Sequence, residues 1–440
     1  MSTAQSRAPD AIAKPQGANA PMKVAVTASA GAAIEWYDFF IYGAAAALVF
    51  PQLFFPADLP PFVAQIASFS TFAVGFVARP LGGVVFGHFG DMIGRKHALA
   101  AALLIMGVST TAIGLLPSFA QVGVAAPLML VALRFIQGLA IGGQWGGAAL
   151  MAIENAPPNK RGFYGSFVQI GVPVGVIAAN VAFFIVGAVV SPEAFEAWGW
   201  RAPFLVSLAL VFVGFYVQFY LEEPMARQAG PHGAEKRGAS PVLVVLGKHW
   251  RDVLLAGGAF IANNTCFYVA ITYAVAYGAA NLGFSRQTML GAVMIGSAFM
   301  IPVLIACGAL SDRLGRKGIF MTGAALTGLW AFAIFPLIET GSFLNITIAI
   351  GVALALISLM YGPQAALFAE LFPREVRYSG ASLGYQIGAV FGGGLAPIIA
   401  TILLAQFGTS DAIAFYLATM CVISFFCTWF LGGRAARARD

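Results

Sequence analysis

Charge is scarce in this sequence. Only 10 % of its 440 residues are Asp, Glu, Lys or Arg, against about 25 % in a soluble domain. A soluble chain of this length has no way to cover its surface with so few charges. That excludes a soluble enzyme, a disordered chain and a nucleic-acid-binding domain. Cysteine is scarce too. Cys266, Cys307, Cys421 and Cys427 all fall in apolar stretches, without C-x-x-C or Cys/His spacing, so they read as buried thiols and no metal or cofactor is expected. No G-x-x-x-x-G-K-[ST] loop is present, which argues against an ATP-driven pump. Residues 1–22 contain no apolar run, so no cleavable signal is expected and this stretch reads as a disordered tail.

What is present is apolar length. Hydrophobic residues make up 60 % of the chain and glycine contributes 51 positions, a bias typical of membrane helices. A spanning helix needs about 20 apolar residues. Breaking the chain at polar, Pro and Gly clusters predicts twelve spans, at 24–50, 62–87, 97–117, 124–152, 162–189, 202–220, 251–279, 288–309, 319–337, 344–369, 378–405 and 411–432. Twenty of the 24 basic residues fall in the tails and in loops on one face. The opposite face has only Arg201 and Arg286, and Arg79 and Arg134 lie inside spans. By the positive-inside bias, both termini are expected in the cytoplasm. The expected organisation is a tail 1–22, a six-helix bundle 23–220, a cytoplasmic linker 221–250, a second bundle 251–433 and a tail 434–440.

The two halves repeat. GHFGDMIGRK at 87–96 returns as GALSDRLGRK at 308–317. Glu154, Arg161 and Gln169-Ile170-Gly171 return as Glu370, Arg377 and Gln386-Ile387-Gly388. Both copies keep the same order and the same face. A parallel repeat of six-span units implies a pseudo-two-fold axis along the membrane normal and halves that rock about a midplane site. The clustered acids and bases (Asp91, Arg95, Glu154 and Arg161; Asp312, Arg316, Glu370 and Arg377) read as a cytoplasmic gate of ion pairs, with plain topology anchoring as the competing meaning.

The loop pattern G-x-x-x-D-x-x-G-R-K after spans 2 and 8 resembles the mark of the major facilitator superfamily. EWYDFF at 35–40, RPLGG at 79–83, RFIQG at 134–138, GGQWGG at 142–147, ENAPP at 154–158 and WGWRAPF at 198–204 narrow the resemblance to the metabolite:proton symporters. The N-terminal half is most similar to the shikimate carriers of that family. The resemblance implies an all-α membrane protein of twelve transmembrane helices, in two pseudo-symmetric six-helix bundles around a central cavity. It also implies proton-coupled transport of a small metabolite across a bacterial inner membrane. Gln144 departs from the pattern, because many family members carry an acid there. That change puts the coupling stoichiometry of the family in question for this chain.

Four charges lie deep in spans: Glu35, Asp38, Arg79 and Arg134. Each costs at least about 2.5–3.5 kcal/mol on insertion scales and so marks function by default. Counted at 1.5 Å per residue, Asp38 lies roughly 21 Å into span 1, near its middle. Asp38 reads as the proton acceptor. Burial favours its neutral form and a nearby arginine its anion, so the balance changes as the cavity opens and closes. Arg134 reads as the cation for a substrate carboxylate, because its planar fork suits two oxygens. Arg79 reads as an intramembrane partner of Glu35 or Asp38. Glu35 reads equally as a second proton site or as that partner.

Polar groups that can line a binding site are Gln144, Gln169, Asn264, Tyr268, Tyr361, Gln364, Tyr385 and Gln386, with interhelical hydrogen bonding as the competing meaning. The expected partners are a small organic acid, protons and the lipid bilayer, and the expected unit is a monomer. The competing functions are an uncoupled facilitator, an exporter, a carrier of a zwitterion such as betaine or proline, an intramembrane hydrolase using Glu35 and Asp38, and a channel.

Overall fold

The structure is a computed structural model. It describes residues 20–93, 95–142, 152–154, 156–216, 241–373 and 376–435, without the side chains at 20, 23, 24, 27, 87–99, 213–216, 241–243 and 432–435. Among the described residues there are helices and no strands, as expected where backbone groups in hydrocarbon must bond within their own segment. In chain order the long helices are α1 Ala20–Leu48, α2 Pro61–Ile93, α3 Arg95–Gly114, α4 Ala125–Ile141, α5 Arg161–Val189 and α6 Ala202–Tyr216. They continue as α7 Trp250–Ala280, α8 Arg286–Leu314, α9 Arg316–Glu339, α10 Phe343–Leu371, α11 Arg377–Phe407 and α12 Asp411–Ala435. The expected twelve segments thus each contain a helix.

Among the described residues, eight helices are long and apolar enough to cross a membrane: α2, α5 and α7 to α12. Helices α3, α4 and α6 are shorter there. Helix α1 is long enough at 29 residues, but carries Glu35 and Asp38. One expectation changes. The end of the predicted linker is itself a helix, Pro241–Lys248, with Val245 buried where it packs at the foot of α7 and α11. Its eight residues are too short to register as a span.

With the twelve helices running in alternation, the start of α1, the end of α6, the start of α7 and the end of α12 fall on one face, called here the terminal face. The halves meet mainly along α5 and α8, with α2 against α11 and α1 against α7 as further seams. Small residues set the closest seam. A Cβ on Gly308 would lie 2.7 Å from the Gly162 carbonyl oxygen, so only glycine lets α5 and α8 approach this closely. Two helices of the second half, α7 and α11, are each widened by a π turn, at Val269–Tyr273 and Val390–Gly394. Such turns are frequent at functional sites, and these two flank the centre of the molecule.

Candidate functional site: buried charges beside a central cavity

Asp38 sits at mid-helix in α1 and is 1 % exposed. The hydroxyls of Thr110 and Ser207 lie beside its carboxyl, and its Oδ1 has no hydrogen-bond partner. Glu35, one turn nearer the terminal face, is half-buried. Arg134 in α4 is fully buried. Its Nη1 donates to Gln137 Oε1, while Nε and Nη2 have no partner. The guanidinium carbon lies 4.2 Å from the ring centres of Phe39 and Tyr42 and 4.9 Å from that of Phe72. Three such contacts at about 0.5–2 kcal/mol each are comparable with the insertion cost of the charge.

Gln137 joins Arg134 to the α1 backbone at Asp38 and to Thr110. It accepts from Arg134, and its Nε2 donates to Thr110 Oγ1 at 2.7 Å and to the Asp38 carbonyl at 3.3 Å. Sequence reasoning missed Gln137. The available signal was its position three residues after Arg134, on the same helix face.

Arg79 departs from expectation. Among the described residues it forms no ion pair with Glu35 or Asp38. Its guanidinium carbon instead lies 4.5 Å from the centre of Phe39, 5.1 Å from Phe76 and 5.2 Å from Trp36. The physical reason is that α1 turns its aromatic stripe, rather than its acids, toward α2.

Between the halves lies a narrow cavity of about 10 Å³, lined by Trp36, Val172, Phe260, Asn263, Asn264, Phe267, Tyr268, Tyr361 and Tyr385, with room for about one water molecule in this arrangement. Of the polar candidates, Asn264, Tyr268, Tyr361 and Tyr385 therefore meet at one place. Gln364 stands just behind, accepting from Asn263 Nδ2 at 3.2 Å. The repeated glutamines both cross between halves: Gln169 donates to the Tyr361 carbonyl and Gln386 to the Gly142 carbonyl, each at 3.4 Å. Gln144 lies outside the described residues.

Asp312, Arg316 and Glu370 of the second cluster meet. Asp312, near the end of α8, accepts from the backbone N–H groups of Gly162 and Phe163 at 2.8 and 2.9 Å, capping α5 across the seam between halves. Arg316 pairs with Asp312 at 3.2 Å and also with Glu370. Arg377 Nε donates to the Phe372 carbonyl at 3.4 Å. Arg161 begins α5, and Glu154 is exposed beside it in sequence. The side chains of Asp91 and Arg95 lie outside the described ones, so the first cluster is not seen.

The sequence profile of the Major Facilitator Superfamily matches residues 29–384. The chain belongs to the Major Facilitator Superfamily. It is similar to the inner membrane metabolite transport protein YhjE of Escherichia coli K12, with 43 % identity over 91 % of this chain and 92 % of that one. The shikimate transporter of the same organism is 39 % identical over 91 % and 92 %. The glycine betaine/proline/ectoine/pipecolic acid transporter OusA of Dickeya dadantii is 34 % identical over 91 % and 81 %. A solved structure of the xylose transporter XylE from E. coli, partially occluded and inward open, has a TM-score of 0.72, covering 94 % of this chain and 98 % of that one. At 16 % identity that likeness is one of fold.

As a superfamily transporter, the chain carries metabolites and is not an enzyme. Among the described residues its two halves touch near both faces. The Asp312 cap joins them at the terminal face. On the opposite face Arg286 Nη2 pairs with Glu196 at 2.9 Å, and Gln287 Nε2 donates to the Gly187 carbonyl at 2.9 Å. The central cavity is therefore held between two latches.

Proposed function

We propose that the chain is a proton-coupled symporter that takes up a small carboxylate metabolite by alternating access. One observation carries the reading: a fully buried acid, Asp38, and a fully buried arginine, Arg134, lie on neighbouring helices bridged by Gln137, which accepts from Arg134 and donates to the backbone carbonyl of Asp38 and to Thr110. Two such charges in a bundle core are expensive unless their interaction is used. Protonating Asp38 removes a negative charge from the environment of Arg134, which changes what anion the site tolerates. The empty carrier resets when the proton leaves. The bias of Lys and Arg supports a cytoplasmic terminal face, and the printed name of the relative YhjE supports a bacterial inner membrane.

Two buried arginines and no acid among the cavity-lining residues favour an anion as cargo. A second reading has its own support. Six aromatic side chains line the cavity, and aromatic cages suit quaternary ammonium groups such as that of betaine.

The test is uptake into proteoliposomes of a labelled panel (shikimate, lactate, glycerate, betaine), with and without an inward proton gradient. Gradient-stimulated, saturable uptake of an acid that is lost in Asp38→Asn is the expected result. Saturable uptake indifferent to the gradient would leave a facilitator. Uptake of betaine alone would favour the second reading.

A further inference from the structure

We propose that Arg79, rather than Arg134, holds the substrate carboxylate, and that the polar wall facing it selects a hydroxylated monocarboxylate. This deepens, and rests on, the uptake reading given above.

Arg79 is 2 % exposed, and its Nε is buried without a hydrogen-bond partner. Aromatic faces are its neighbours, and they give the Nε–H donor no acceptor. Those neighbours lead to the cavity. Trp36, 5.2 Å away, lines it, and Phe76, 5.1 Å away, has its ring 5.1 Å from that of Tyr268. Arg79 also lies within electrostatic reach of Tyr268, Tyr361 and Tyr385, which are all cavity-lining residues. Phe39 separates the two arginines, at 4.5 Å from Arg79 and 4.2 Å from Arg134. Arg134 is thus turned to the Gln137 and Asp38 side and Arg79 to the cavity side.

A carboxylate entering the cavity would offer Arg79 the two-oxygen acceptor that the rings lack. The opposite wall carries no charge. Asn263 bonds Gln364, whose Nε2 is buried without a partner, and the Tyr361 and Tyr385 rings line the same cavity. Amides and phenols of this kind suit hydroxyl groups. They carry no positive charge to balance a second carboxylate and no negative charge to balance an ammonium group. A molecule with its carboxylate on α2 and its hydroxyls on α7, α10 and α11 would also tie the two halves together.

The experiment compares wild type, Arg79→Gln, Arg79→Lys and Arg134→Gln in proteoliposomes. The probes are shikimate, lactate and glycerate as labelled acids, and the neutral amide of each as competitor. In wild type the acid is preferred over its amide. The expected result is that Arg79→Gln reduces this preference by about 10- to 100-fold, the worth of a charged hydrogen bond. Arg79→Lys keeps the preference with a raised half-saturation. Arg134→Gln keeps the preference and loses stimulation by the gradient. If Arg79→Gln fails to fold, Tyr361→Phe carries the test. It is expected to lose selectivity for the hydroxy acid over its deoxy analogue.

Three results would overturn the proposal. Arg79→Gln retaining the preference, with wild-type uptake intact, sinks the assignment and leaves the uptake reading standing. Loss of the preference in Arg134→Gln alone gives the anchor to that residue. Wild type that takes up none of the acids removes the uptake reading itself.

Discussion

At the scale of single residues, Arg134 keeps its charge deep in the bundle because three rings and one amide replace water. Gln137 is the only hydrogen-bonding member of that set. Gln137→Leu keeps the volume and removes the acceptor for Arg134 and the donors to Thr110 and the Asp38 carbonyl. Leaving buried polar groups unpaired costs about 1–3 kcal/mol. Thermal unfolding in detergent should therefore fall by several degrees, and gradient-stimulated uptake should drop at least about tenfold. Unchanged uptake would mean that Gln137 is filler. Gly75→Ala makes an independent check. Its Cβ would stand 2.5 Å from Arg134 Nε and 3.0 Å from Cζ, so the guanidinium must leave its rings. Uptake is expected to fall while the fold survives, read by size-exclusion profile beside transport rate. The four charges inside spans were legible in the sequence because a charge there is rare. Phe39, Tyr42 and Phe72 were not, since one more aromatic in a chain with 38 phenylalanines carries no signal. Which face of α1 meets α2 and α4 decides their role, and helix rotation is not written in a span.

At the scale of elements, the two latches differ in strength. Asp312 accepts two backbone N–H groups at the first turn of α5, where the helix dipole adds about 0.3–1 kcal/mol and each charged hydrogen bond contributes about 1.5–3 kcal/mol. Glu196 and Arg286 pair with side chains 51 % and 27 % exposed, and exposed pairs are worth about 0–1 kcal/mol. The terminal-face latch should therefore dominate. Ser166 reports on it, being fully buried where Gly308 packs. Maleimide labelling of Ser166→Cys should rise about tenfold in Asp312→Asn, from the energies just given, and should not rise in Glu196→Gln, which loosens the opposite face. Equal rises would show that Ser166 does not report on the terminal-face latch. The duplicated loop announced this cluster from sequence alone, since repeated charges at fixed offsets need a shared purpose. Its main contact was hidden, because the partners of Asp312 are backbone groups of the other half, which leave no mark in side-chain identity. The helix Pro241–Lys248 escaped for a plainer reason: an eight-residue apolar run after a polar stretch reads as linker.

At the scale of the whole molecule, α5 and α8 form one continuous seam from Gly162 and Gly308 at the terminal face to Gly187 and Gln287 at the opposite face. A cavity latched at both ends lets nothing through, so transport requires this seam to part at one end while the other holds. Every cycle must also return through a closed arrangement. Gly308→Val tests that requirement without touching a charge. The added side chain meets the Gly162 carbonyl oxygen and the Ser166 Cβ, both at 2.7 Å from its Cβ. The first is backbone and has no rotamer to yield. Overpacking of this kind costs about 1–3 kcal/mol. The cost falls on the closed arrangement alone, because the two helices are apart when the terminal face is open. The closed population should drop by about 5- to 150-fold, and net uptake with it. Binding of the transported acid from the terminal face should survive, because the cavity residues are untouched. Wild-type uptake in Gly308→Val would sink the idea that α5 and α8 must close for each turnover. Loss of binding together with uptake would show instead that the valine had disturbed the fold of α8.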